Sequence, residues 1–196
     1  NQTVKNKKKL LKREIFLRYI VKNLSRRFNS ISTTGIVSRE LYEILDSKSK
    51  INNFMCVGGM GHAISIAAGF AQNSRGKIIC FDGDGAITMH LGSLATSSKY
   101  NNLIHIVFNN FSHESVGGHE NSAKHVKFYK LAKVLGYKNS TVVKKTHQAL
   151  DALNEALKSK GSSFIEILCD KGHRQDISRP KEKMQQLKSK FIKYIR

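Results

Sequence analysis

No apolar run in this sequence is long enough to span a bilayer, and no charged-then-apolar segment opens it. Neither a transmembrane anchor nor a signal peptide is therefore expected. Cysteine is scarce, with only Cys56, Cys80 and Cys169. An odd count without CxxC spacing argues against a disulfide framework and a zinc knuckle. Each lies among apolar residues near an expected strand end, which reads as a small buried hydrophobe in a reducing, cytoplasmic setting. Internal repeats, low-complexity linkers and a second compact domain are missing too. Acidic residues are few: 14 face 34 lysines and arginines, for a net charge of +20. So basic a chain can attract nucleic acid, anionic membrane or acidic substrates. The excess sits at the ends, in "KNKKKLLKR" (5–13) and "RPKEKMQQLKSKFIKYIR" (179–196), and no RNP, zinc-finger or helix-turn-helix pattern accompanies it. It reads as solvated lysine on terminal helices, with neither membrane nor nucleic acid expected as a partner.

What remains is globular. With 196 residues, 40% of them hydrophobic and 8% aromatic, the chain can bury the core of one domain. It begins at Asn1 rather than methionine, and a processed form, a fragment or an excised domain is expected. Three segments are anticipated: a basic helix or linker over 1–29, a binding domain over 30–178, and a basic helix over 179–196. The first helix is expected over 7–28, with Leu10, Leu11, Ile15, Leu17, Ile20, Val21 and Leu24 as its apolar face. A strand and turn follow at 30–35, then a helix over 38–45 capped by Ser38. Strands at 53–58, from 76 into the "DGDG" loop, at 102–110, 140–145 and 163–170 alternate with helices at 60–72, 86–100, 122–136 and 147–160. Gly136 is the expected C-cap of the third of these helices. The strands are continuous apolar runs without polar alternation, which is the signature of a parallel β-sheet covered by helices on both faces, an α/β fold. Ligands of such sheets gather at the carboxyl ends of the strands. The loops "VGGMGH", "DGDGA" and "NNFSHESVGGH" all follow strands and should converge there.

"CFDGDGAITMH" (80–90) puts Asp82 and Asp84 at the end of a buried strand, where unpaired charge is costly. Asn110 stands twenty-six residues beyond Asp84, at the end of the next strand. One intervening helix would bring the Asp84 carboxylate and the Asn110 amide oxygen together. Ligands that are all oxygen suit magnesium or calcium, and a site with few of them suits magnesium shared with phosphates. Gly83 and Gly85 let backbone amides approach a ligand, and a helix from Ala86 aims its N-terminus at the same place. Metal, amides and helix dipole together describe a diphosphate site. Asp82 reads as structural or as a partner that supports the ligands.

A lone GDG is a common turn, whereas GDG followed at this distance by NN is far more specific. "GDGA…NN" resembles the thiamine-diphosphate motif of the thiamine-dependent decarboxylase superfamily, and the similarity runs from "ISTTGIVSREL" to "SFIEILCDKG". Within it, "CVGGMGHAISIAAG", "DGDGAITMHLGSLAT" and "NNFSHESVGGH" resemble phosphonopyruvate decarboxylases most, with sulfopyruvate decarboxylases as nearest relatives. The resemblance implies thiamine diphosphate and Mg²⁺ as cofactors. Asp84, Asn110 and the Ser112 carbonyl would hold the metal, and Gly83, Gly85 and Ala86 would line the diphosphate. In the loop Gly58, Gly59, Met60, the Met60 side chain would prop the cofactor in a bent shape, and the Gly58 carbonyl would accept from its aminopyrimidine. The implied activity is decarboxylation of a small anionic 2-oxo acid, phosphonopyruvate first, sulfopyruvate or another 2-oxo acid second. A reading of another class is a basic binding module with a degenerate motif.

The superfamily also uses a glutamate from a pyrimidine-binding domain across a subunit interface. Glu14, Glu40 and Glu43 precede the cofactor loops on expected helices and are poor candidates for it. The chain is therefore expected to be one half of a homo- or hetero-oligomeric enzyme, the other half being a separate subunit or a preceding stretch of chain. His113, His119 and His125 recur at a spacing of six, which fits neither a helix face nor a common zinc motif. His113 and Glu114 instead lie just past the metal ligands, as candidate catalytic residues alongside Met60. Ser115, Gly117 and Gly118 could receive an anionic headgroup through an amide nest. His62 falls near the cofactor, while His90 and His105 read as packing.

Overall fold

The structure is a computed structural model and describes residues 10–46, 48–193 and 195. Six strands, β1 (Phe28–Ser32), β2 (Ile51–Met55), β3 (Ile78–Gly83), β4 (Leu103–Asn109), β7 (Asn139–Val143) and β8 (Ser163–Leu168), form one sheet in the order β2-β1-β3-β4-β8-β7. Every pairing in it is parallel. A two-residue hairpin, β5 (Ser112–His113) with β6 (His119–Glu120), stands apart from the sheet and is antiparallel. Among the described residues, eight α-helices accompany these strands: α1 (Arg13–Asn23), α2 (Ile36–Ile44), α3 (Ala63–Gln72), α4 (Asp84–Met89), α5 (Ser93–Ser97), α6 (Phe128–Val134), α7 (Thr146–Lys158) and α8 (Met184–Lys193).

Alternation along the central strands sorts the layers, because successive side chains point to opposite faces. Ile79 and Phe81 of β3, with Ile104, Ile106 and Phe108 of β4, pack against Phe16, Leu17 and Ile20 of α1, Leu41 of α2 and Leu153 of α7. On the other face Ile78 and Cys80 meet the alanines of α3 and Phe191 of α8, and Val107 meets Leu94, Phe128 and Ala132. Both faces are covered, as the apolar strands predict. None of the described helices is long and apolar enough to cross a membrane.

Several boundaries differ from the sequence expectation. The first helix starts at Arg13, and residues 7–9 of the expected span lie outside the described residues. Leu11 stays out of it because its carbonyl accepts from Asp170 N at 2.9 Å and Lys12 bridges to Asp170. The buried face is Phe16, Leu17 and Ile20, whereas Ile15 is 45% exposed. Over its described part, the stretch expected as a helix or linker is a layer of the core. Helix α2 begins at Ile36, so Ser38 is internal and not the cap: its hydroxyl bonds the Thr33 carbonyl and lies 2.7 Å from the Ser32 hydroxyl. Gly35, at φ +110°, makes the turn into that helix, a conformation glycine adopts at little cost. The helix expected over 86–100 is two short ones broken at His90–Gly92, and α4 starts two residues early, at Asp84 itself. The helix expected over 122–136 is divided as well. Asn121 caps a single 3₁₀ turn by accepting from Ala123 N at 2.9 Å, Val126 is extended, and α6 begins at Phe128. Gly136 follows α6 at φ +102°, in keeping with its expected capping role.

Phe16 is fully buried between α1 and the sheet. Phe16→Ala should therefore cost about 3–5 kcal/mol of stability. Denaturant unfolding monitored by circular dichroism checks this, and a loss under about 1 kcal/mol would place α1 outside the cooperative core.

Candidate active site

Strands β3 and β4 are neighbours in register, with Gly83 opposite Phe108, so the residues just past them emerge side by side. Asp84 is one residue beyond β3 and Asn110 one beyond β4. Both are buried, at 3% and 2% exposure. Their oxygens converge on one donor: Ser112 N–H lies 3.2 Å from Asp84 Oδ2 and 3.2 Å from Asn110 Oδ1. The link between them is Phe111, the one non-glycine residue at positive φ (+60°) among those described. A left-handed phenylalanine is strained, and its neighbours hold it: its N–H donates to Asn109 Oδ1 at 3.2 Å and its carbonyl accepts from Asn121 N at 3.2 Å. That turn points the Ser112 amide back at both oxygens. Sequence reasoning placed Asp84, Asn110 and Ser112 together; it did not find Phe111.

Burial pushes the Asp84 carboxyl above its ordinary range, and the Asn121 side chain with the Gly85, Phe111 and Ser112 amides offsets this only in part. No lysine, arginine or histidine among the described residues forms an ion pair with it. A nearby polar atom also lacks a partner. Asn121 Nδ2 is buried without a hydrogen bond and lies 3.6 Å from where a Cβ on Gly85 would sit. Thr33 Oγ1, just past β1 at the same sheet edge, is the other such atom among the described residues. A buried carboxylate short of positive charge suits a cation and the anionic group it carries.

The remaining loops close around this point. A Cβ on Gly85 would sit 2.5 Å from His113 Nδ1, so only glycine admits the imidazole there. A Cβ on Gly61 would sit 3.1 Å from the Ala86 carbonyl, which seats the Gly58–Gly59–Met60 loop on α4. Gly58, at φ +77°, has open space before it. Met60 Cε and Ser115 Oγ both approach Gly35, at 3.9 and 3.5 Å from its Cβ position. The structure thus gathers Met60, Ser115, His113, Gly85 and Ala86 as the sequence expected. Gly117 and Gly118 are exposed at φ +95° and +73°, but the Gly118 amide already donates to the His113 carbonyl at 3.0 Å. Ser112 Oγ bonds the Gly118 carbonyl at 2.9 Å and closes the hairpin. Glu114 is fully engaged at one oxygen: Oε1 accepts from Asn110 Nδ2 at 3.2 Å and Gly172 N at 2.7 Å, while Oε2 meets His173 Nδ1 at 3.2 Å. Burial pushes its carboxyl up, but the donors from Gly172 and His173 outweigh this and hold it below the usual range. Val57, Met89 and Val116 rim these loops at 63%, 58% and 65% exposure.

Beneath the site lies a polar network. Asp82 is fully buried, with Oδ1 accepting from Gly83 N at 2.9 Å and Oδ2 3.2 Å from His105 Nε2. His105 is packed as expected, against Phe164 and Tyr137. Cys80 joins Asp82 and His105 as the only group of three potential metal-ligand residues that come together among those described. Burial holds the Cys80 thiol well above the ordinary range. Among the described residues, His113, His119 and His125 form no such group. Asn109 and Glu166 were not anticipated: Asn109 Nδ2 donates to Glu166 Oε1 at 2.8 Å, bracing the end of β4 from β8. Glu14 and Glu43 pair with Arg174, and Glu40 with buried Arg13 at 2.6 Å, so all three glutamates of the first helices are in use.

Residues 31–167 match the family of the thiamine pyrophosphate enzyme, C-terminal TPP binding domain. The chain belongs to this family. The matched stretch of the TPP-binding domain holds every site residue named above except Gly172 and His173, and α1 and α8 flank it. The chain is 31% identical over 181 residues to a phosphonopyruvate decarboxylase of Streptomyces viridochromogenes, covering 91% of this chain and 45% of that protein. It is 37% identical over 128 residues to a sulfopyruvate decarboxylase subunit beta of Methanocaldococcus jannaschii, covering 64% of this chain and 66% of that protein. The chain spans about half the length of the phosphonopyruvate decarboxylases it matches, 45% and 41%. Among solved structures, benzoylformate decarboxylase from Polynucleobacter necessarius superposes with a TM-score of 0.70 at 18% identity, over 84% of this chain and 34% of that one. At that identity the likeness is one of fold, and it agrees with the doubly covered parallel sheet of this TPP-binding domain.

Proposed function

We propose that this domain is the diphosphate-binding half of a thiamine-diphosphate-dependent 2-oxo acid decarboxylase that converts phosphonopyruvate to phosphonoacetaldehyde and CO₂. The observation that carries the reading is the convergence of Asp84 and Asn110 oxygens on the Ser112 amide, with no cationic side chain of the described residues paired with the buried carboxylate. Asp84, Asn110 and the Ser112 carbonyl would hold Mg²⁺, and Gly83, Gly85 and Ala86 would present backbone to the diphosphate. When bound, the cofactor supplies the electron sink that decarboxylation of a 2-oxo acid needs. The chain's own part is to hold that cofactor in place, to shape it through Met60 and the Gly58 carbonyl, and to keep the substrate loop over it. In that loop His113, Ser115 and the Gly117–Gly118 turn would receive the anionic headgroup. A sulfonate is the second reading, favoured by the 37% identity to a sulfopyruvate decarboxylase subunit.

The partner in this reading is a pyrimidine-binding domain, as a separate subunit or as another part of a longer chain. Exposed Val57, Met89 and Val116 around the site support such a contact. Three free, buried cysteines suit the cytoplasmic location assigned with it. Competition between phosphonopyruvate and sulfopyruvate in the complete enzyme tests the headgroup. A larger kcat/KM for phosphonopyruvate is expected, and the reverse order would transfer the assignment to the sulfonate.

Met60→Ala offers a separate check. Cofactor affinity should stay within about tenfold of the parent, roughly 1.4 kcal/mol, while turnover falls much further, because the side chain shapes the cofactor and the diphosphate anchors it. Normal turnover with badly weakened binding would remove Met60 from this role.

A further inference from the structure

Glu114 comes from the loop that should face substrate, yet its carboxylate turns toward Asn110 and the segment after β8. We propose that Glu114 is a positioning residue, which fixes the direction of the Asn110 carboxamide and ties that ligand to residues 172–173. The inference rests on the reading of Asn110 as a metal ligand.

An asparagine side chain has two orientations related by a half-turn, one offering oxygen where the other offers nitrogen. Here Asn110 Oδ1 accepts from Ser112 N–H, and Nδ2 donates to Glu114 Oε1. Turning the amide over would set Nδ2 against the Ser112 N–H and Oδ1 against a carboxylate, so both contacts would become like against like. The Ser112 amide has a second acceptor in Asp84 Oδ2 and could tolerate the loss. Glu114 is thus the group that rejects the reversed amide. The distinction matters because a hard cation takes the amide oxygen and not the nitrogen.

For this, the carboxylate must itself be held. Gly172, at φ +93°, directs its N–H at Oε1, and His173 meets Oε2. The segment is moored on either side of these residues. Asp170 N bonds the Leu11 carbonyl at 2.9 Å, and Arg174 Nε meets Glu14 at 2.8 Å. Glu114 therefore passes the fixed position of this strap on to the ligand amide. Both bonds that matter fall on Oε1, so glutamine can keep them while alanine cannot.

The test is the Mg²⁺ concentration that half-saturates thiamine diphosphate binding to the complete enzyme, measured by titration calorimetry. Glu114→Ala should raise it about tenfold or more, the usual scale for groups that orient a metal ligand. Glu114→Gln should stay within about threefold of the parent. On an Asn110→Ala background, Glu114→Ala should add nothing, since its partner is gone. Thermal unfolding with chelator present shows whether each variant is folded, and the double variant separates lost orientation from general damage. Three results overturn the proposal: an unchanged Mg²⁺ requirement in Glu114→Ala, a glutamine variant as poor as the alanine one, or a full further loss on the Asn110→Ala background. If Asn110→Ala itself leaves the Mg²⁺ requirement unchanged, the metal site falls and this inference with it. If Asn110→Ala weakens binding and Glu114→Ala does not, only the positioning role fails.

Discussion

Asp84→Ala is expected to abolish magnesium-dependent binding of thiamine diphosphate, with affinity falling by more than about 100-fold. Even groups that only orient a metal ligand cost about 10–100-fold when removed, and Asp84 is the one charged group assigned to the cation. Its carboxyl is buried and held above its ordinary range by that burial, and the groups of the described residues that support the charge are amide donors. A second consequence has the opposite sign. With no cation present, the ionised carboxylate is a cost to the fold, so Asp84→Asn should raise the denaturation midpoint of the cation-free protein while it destroys cofactor binding. Calorimetry and thermal unfolding in chelator measure the two effects on one variant. Unchanged affinity would remove Asp84 from the site, and a lower midpoint would mean that the carboxylate is satisfied without a cation.

The other large effect concerns catalysis by the domain alone, which should be undetectable. Every loop proposed to hold a diphosphate is present, while the glutamates of the first two helices, poor candidates to activate a pyrimidine by their place in the sequence, are committed elsewhere. Glu40 pairs with Arg13, and Glu14 and Glu43 pair with Arg174. Val57, Met89 and Val116 meanwhile stand exposed around the site. A partner that covers them would form an obligate interface, of the order of 2,000 Å² or more. Without it, cofactor should bind weakly and the bare rim should promote self-association, visible by sedimentation.

Much of this was legible in the sequence because its signals were local and periodic. Unbroken apolar strands foretold the doubly covered sheet, and Asp84 with Asn110 foretold a shared edge through the spacing of one crossover. The strand and glycine pattern did not show how the helices end. Ser38 looked like a cap, but Gly35 supplies the turn and the serine hydroxyl serves the Thr33 carbonyl instead. The helix expected over 86–100 breaks at His90–Gly92, which the run of helix-compatible residues concealed. Other features depend on contacts distant in sequence. The left-handed turn at Phe111, the brace from Glu166 to Asn109, and the grip of residues 172–173 on Glu114 arise only when β4, β8 and the following segment are side by side. Glu114 illustrates the limit: its place in the chain suggested contact with substrate, and its hydrogen bonds give it to Asn110 and the strap.

The most direct measurement is aldehyde release from phosphonopyruvate, followed in a coupled assay with Mg²⁺ and thiamine diphosphate present. It should be run on this domain alone, on a pyrimidine-binding half alone, and on the two combined. Neither half is expected to release aldehyde by itself, and the mixture should do so only while Asp84 is intact. Aldehyde formed by this domain alone would contradict the division of the site between two halves.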